Sequence, residues 1–147
     1  MIAKLRRISQ ALARFDVNRE AQIIFGQSAD DLVKLNTDQL LQGKDSTGDF
    51  ITPDYFYDSY KAEKIKKNPK AGGHVDLKYN GDFHDGIFVD VDSRGITIDS
   101  SDGKTPSLES KYGKEIFGLT PESRRKFIAE TLRPGLLNAL KKELYAA

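Results

Sequence analysis

The chain has 147 residues, of which 38% are hydrophobic and 31% charged, with no cysteine and a formal net charge of +1. Such a length predicts one domain that buries about 68–70% of its unfolded surface, and the low apolar share predicts a modest core, or an extended subunit completed by neighbours. The near-neutral balance argues against a general polyanion binder, the absence of cysteine excludes disulfides and thiolate chemistry, and nowhere do eighteen apolar residues occur in succession, so a soluble intracellular product without a membrane span is expected.

Ile2, Leu5, Ile8, Leu12 and Phe15 recur at helical spacing, with Lys4, Arg6, Arg7 and Arg14 around them. A basic amphipathic opening fits a membrane-surface helix or a core-packing helix with a solvated face. The second reading is preferred because the apolar stripe runs on through Ala21, Ile24, Phe25, Leu32 and Leu35. Asp16 or Asn18 can cap a restart, so the spacing predicts a long N-terminal helix broken near residue 16 and ending near Asn36.

Residues 42–74 read as a long irregular excursion. Gly43, residues 45–49, Thr52-Pro53-Asp54 and Asn68-Pro69 are turn chemistry. Between them lie Tyr55, Tyr57 and Tyr60, then Lys61, Lys64, Lys66, Lys67 and Lys70, with one short helix predicted over 57–67. Loops of this length are commonly functional or ordered by a partner. Tyrosines followed by lysines suit a stacking platform for single-stranded nucleic acid. A solvated helix with inward tyrosines is the plainer reading.

The organising stretch follows. Ile87, Val89 and Val91 alternate with Phe88, Asp90 and Asp92, and Ile96 and Ile98 resume the pattern after Asp92-Ser93-Arg94-Gly95. Period-two alternation around a Gly-ended connection predicts a β-hairpin over 86–99 with one buried face. The surrounding segment is acidic, and carboxylates near His74 and His84 raise the question of a divalent-cation hydrolase. Asp90-x-Asp92-x-x-Gly95 mimics the start of a calcium loop, yet Arg94 stands where an oxygen ligand belongs and Ser101 where the closing Glu belongs. Alternating aspartates suit a half-solvated hairpin, and the two histidines read as surface or hairpin-edge residues.

A short helix carrying Leu108 and Tyr112 comes next. Thr120, Pro121 and Glu122 then start a C-terminal helix that Pro134-Gly135 must kink. Its leucines at 136, 137, 140 and 144 predict packing under the hairpin or onto a neighbouring subunit. The fold class is therefore α+β: the broken N-terminal helix, a small antiparallel sheet on the 86–99 hairpin and a kinked C-terminal helix, in a single domain over 1–147. No Gly-rich phosphate loop, nucleophile elbow or cysteine–histidine pair occurs, so an enzyme is not expected, nor a cofactor or bound metal.

The order of elements, together with Leu77-Lys78-Tyr79-Asn80-Gly81-Asp82-Phe83-His84-Asp85-Gly86-Ile87, resembles the tail-completion and neck proteins of tailed bacteriophages, the virion-morphogenesis or minor-tail group. Their pattern is Leu-x-x-Thr-Gly-x-(Leu/Phe)-x-x-Ser-(Ile/Phe) entering the sheet; Asn80 stands here for the Thr and Gly86 for the Ser. Gly43-Lys44-Asp45-Ser46-x-Gly48 before Pro53, and Lys111-Tyr112-Gly113 before Ile116-Phe117-Gly118-Leu119, resemble versions carried by phages of Bacteroides-type hosts. The likeness spans residues 16–145. It implies a non-enzymatic virion part, made in the host cytoplasm, whose copies form a ring between the head-side connector and the tail, with DNA passing through the lumen.

On this reading the partners are further copies and the neighbouring connector and tail proteins. Candidate subunit or DNA-lumen contacts are Tyr57, Tyr60, Lys64, Lys66, Lys67 and Lys70 on one side, and Asp90 and Asp92 on the other. A nucleic-acid-binding module over 55–70 is the alternative, and a metal-dependent hydrolase on the aspartates the third.

Overall fold

The computed structural model describes residues 1–146. The fold is mixed α and β, with three helices opening the chain: α1 (Ile2–Arg14), α2 (Val17–Gln27) and α3 (Ala29–Leu41). Phe15 and Asp16 are extended, and the Asp16 carboxylate accepts a hydrogen bond from the Arg19 N–H at 3.1 Å, capping α2. A second break at Ser28 and a continuation to Leu41 depart from the run that periodicity ends near Asn36. Tertiary contact explains the extension: Leu40 is fully buried, and the side chains of Asn36 and Gln39 hydrogen-bond a distant strand-like segment.

The sheet has two antiparallel strands, β1 (Ile87–Asp92) and β2 (Gly95–Ser100). Asp92 pairs with Gly95, so the turn is the two residues Ser93 and Arg94, shorter than the four-residue connection expected. Ile87 and Ile98 face inward against the opening helices, with Val89 and Ile96 packed beside them. Phe88, Asp90, Asp92 and Thr97 occupy the exposed outer face. The core beneath combines Leu32, Leu40, Val75, Phe83, Ile116 and Leu119, and Phe25 stacks on Phe127 with ring centroids 6.1 Å apart.

The 42–74 excursion is stitched into this core. Ile51 is buried with it, Lys44 bridges Phe50, and the segment holds α4 (Asp58–Lys67) and a 3-10 turn at Pro69–Ala71. The stretch from Leu77 reaches β1 at Ile87 by way of a one-turn helix, α5 (Asp82–Asp85), started by Gly81 at φ 95°.

After the hairpin come α6 (Thr105–Tyr112), a 3-10 turn at Lys114–Ile116, and α7 (Pro121–Phe127), whose Thr120 hydroxyl accepts from the Ser123 N–H. The C-terminal helix is interrupted, as Pro134 dictates. A π segment, Ile128–Leu132, precedes α8 (Arg133–Ala146), because Pro134 has no N–H to continue the α ladder. A Cβ on Gly135 would come within 2.7 Å of Ile24, so this glycine lets α8 lie close against α2.

Of the two destinations expected for the terminal leucines, under the hairpin or onto a neighbouring subunit, the fold does not show the first, and the core-packing reading of α1 is corrected. The terminal leucines do not pack under the hairpin: α8 lies against α1 and α2, and Leu137 is half exposed. Nor is α1 a core helix. Only its Ala11 is buried, while Ile2, Leu5 and Leu12 are 77%, 58% and 51% exposed, because α1 has α8 as its main neighbour and lies outside the layer that covers the sheet.

Candidate functional site

The polar centre of the molecule is Asp76. Its carboxylate takes an ion pair from Lys64 at 2.7 Å, a hydrogen bond from the Asn68 amide at 2.9 Å and one from the Lys78 N–H at 3.0 Å. Burial alone would raise the Asp76 carboxyl, but the Lys64 and Asn68 donors outweigh it and hold the group below the usual carboxylate range. The Lys64 ammonium also donates to the Lys78 carbonyl. His84 Nε2 lies 2.8 Å from the Asp76 carbonyl oxygen, and burial pushes its imidazole below the ordinary histidine range. Lys64 therefore leaves the set of solvent-facing contacts: it is buried and committed to Asp76. One histidine is corrected too: His84 is buried in α5, whereas His74 stays partly exposed and stacks on the exposed Phe50 at 3.6 Å.

Leu77 follows with φ 57°, a left-handed conformation that costs a side-chain-bearing residue about 1–3 kcal/mol. This turn aims the Lys78 carbonyl at Lys64 and leads the chain outward to Tyr79, which is 84% exposed with the Lys104 ammonium 5.5 Å from its ring centre. On one side of Tyr79 lies a cavity of about 200 Å³ walled by Tyr55, Tyr60, Phe83, Leu108 and Tyr112, with Lys78 and Lys104 at its polar positions. Burial, then the nearby Asp76 charge, pushes the Tyr55 hydroxyl far up, so it remains protonated. On the other side a cavity of about 490 Å³ is lined by Lys67, Lys70, Asn68 and Pro69. The two cavities adjoin across Lys64, Lys78 and Tyr79 and together make a two-part cleft, with aromatic walls in the first part and Lys67 and Lys70 in the second.

Among the sequence-derived candidates, Tyr60, Lys67 and Lys70 line this cleft, while Tyr57, just before α4, and Lys66, on α4, are exposed outside it. Asp90 and Asp92 lie on the outer face of the hairpin, where Arg94 approaches Asp92 at 3.4 Å. Tyr79, Lys104 and Tyr112 escape a reading by local spacing, because three separate segments bring them together. Only the Asn80-Gly81 turn beside Tyr79 marks that position in advance.

The chain matches no protein-family model, no curated protein and no solved structure. Geometry therefore stands alone in assigning chemistry to the cleft. Among the described residues no three His, Asp or Glu side chains converge as metal ligands, and the aspartates of the hairpin point along its solvent face. The cleft instead pairs π-faces with ammonium groups, an arrangement that stacks a planar ring and neutralises an attached phosphate. No helix among the described residues is long and apolar enough to cross a membrane.

Proposed function

We propose that this chain is a structural subunit completed by copies of itself, in keeping with its resemblance to phage neck and tail-completion proteins. On that reading it forms a ring between connector and tail in the virion. The observation that carries the reading is surface. The chain exposes 9905 Å². For folded monomers of this mass, 16.4 kDa, the area scaling gives about 7,500 Å². The surplus, roughly a third, is of the size that obligate subunits bury, here divided between two neighbours. Large apolar side chains contribute to it: Phe56, Tyr79 and Ile2 are all more than three-quarters exposed. Native mass spectrometry is the test. A closed multiple of the chain mass is expected, and a monomer at high micromolar concentration would overturn the reading.

The cleft favours a second reading, in which the same subunit holds single-stranded nucleic acid through Tyr79 and the lysines. Fluorescence anisotropy with a labelled oligothymidylate should then show affinity that falls steeply with salt as phosphate contacts release counterions. Salt-independent or absent binding rejects it.

A further inference from the structure

Two surfaces of this chain are unpartnered and opposite in character. The first is the exposed face of α1. Residues 1–15 contain Lys4, Arg6, Arg7 and Arg14 and no acidic residue. Ile2, Leu5 and Leu12 are all more than half exposed, with Lys4 and Arg6 on either side of Leu5. The second is the outer face of the hairpin. Register places Phe88 opposite Asp99 and Asp90 opposite Thr97, so two carboxylates flank one phenylalanine that is 37% exposed, and Asp92 lies further along the same face, where Arg94 bonds it. The neighbours of the hairpin in its own chain, α2 and α3, lie against the inner face that carries Ile87 and Ile98.

We propose that α1 of one copy docks on the outer hairpin face of the next, which rests on the subunit reading above. Charge selects this occupant. A basic stripe repels a second α1, and the Arg124 rim of the apolar groove beside Phe127 repels it too. The hairpin supplies the opposite sign around an aromatic anchor, so Leu5 and Leu12 cover Phe88 while Lys4 and Arg6 reach Asp90 and Asp92. Lengths agree as well: a thirteen-residue helix and six-residue strands each extend about 20 Å. Because the two faces differ, the contact is head-to-tail and closes into a ring or propagates.

Oligomer mass and sedimentation of three full-length variants test the contact. Lys4→Glu/Arg6→Glu and Asp90→Lys/Asp92→Lys should each weaken association about tenfold or more, the order of close interfacial charge pairs. The combined fourfold variant should recover it. All four positions are exposed, so the monomer should keep its far-UV circular dichroism. If both reversals leave an oligomer of unchanged mass, the docking is wrong while the subunit reading stands. Should the wild type be monomeric at high micromolar concentration, both fall. Binding of the wild type to phosphatidylserine vesicles, with no effect of the hairpin reversal on its mass, would make α1 a lipid contact and overturn the docking.

Discussion

Asn36 and Gly118 hold each other across 82 residues of chain: the Gly118 N–H donates to Asn36 Oδ1 at 2.7 Å. The Asn36 amide in turn donates to the Ile116 carbonyl at 3.2 Å. Nearly one turn along α3, Gln39 repeats the exchange, donating to the Gly118 carbonyl at 2.9 Å and accepting from the Thr120 N–H at 2.8 Å. Two side-chain amides thus act as the missing strand partner of the segment between the 3-10 turn and α7. Gly118 has φ 112°, a conformation that disfavours any Cβ at this point of the clasp.

Replacing Asn36 by Leu keeps the branched shape, adds volume, and orphans a buried carbonyl and an N–H. Each costs about 1–3 kcal/mol, so a loss of about 2–6 kcal/mol is expected, read as a lower urea midpoint. An unchanged midpoint would show that the segment finds other partners.

Lys64 and Lys66 are two residues apart, yet their substitution should differ sharply. Lys64→Ala strands the Asp76 carboxylate, which is 1% exposed, and should cost about 3–5 kcal/mol. Lys66→Ala alters only a solvated lysine and should stay within about 0.5 kcal/mol of wild type. Pairing Lys64→Met with Asp76→Leu should recover much of the loss, because no charge is left buried alone. Thermal unfolding of the three variants checks the ranking.

Acidification should destabilise the fold in two stages. His84 is held below its ordinary 6.5 and Asp76 below its ordinary 3.8, so at both sites the unfolded chain binds protons more readily than the folded one. Stability is complete above 6.5, begins to fall below it through His84, and falls further below 3.8 through Asp76. Urea midpoints across this range should therefore decline, and His84→Gln should flatten the first stage. A midpoint that rises on passing below 6.5 contradicts the assignment.

In the cleft, Tyr79→Ala removes the most exposed stacking face and should weaken oligothymidylate binding by about 1–3 kcal/mol with little change in salt slope. Lys104→Ala should reduce the slope by about one contact. Equal affinity in both variants would place any nucleic-acid contact elsewhere.

Local pattern made the hairpin legible, because alternation in 86–99 is a direct consequence of one buried sheet face. The Asp16 cap and the interruption before Pro134 were readable for the same reason: each depends on a single residue and its immediate neighbours. The clasp was not. Asn36 and Gln39 occupy helix positions where polar residues usually meet water, and their partners lie some 80 residues away. Lys64 is concealed in the same way, since a lysine run hides the one member whose partner, Asp76, arrives from beyond the next turn. In α1 the apolar stripe was correctly seen but its destination was not, for periodicity says which face is apolar and never what covers it.

The bare side of the hairpin has one more effect, which concerns the behaviour of the free chain in solution. A short sheet with two open edges invites stacking by any other extended chain. Repulsion among Asp90, Asp92 and Asp99 works against that encounter, so these carboxylates favour solubility of the free chain. Turning Asp90 and Asp92 into valines would leave the monomer folded yet shorten its life in solution, visible as turbidity that grows with concentration.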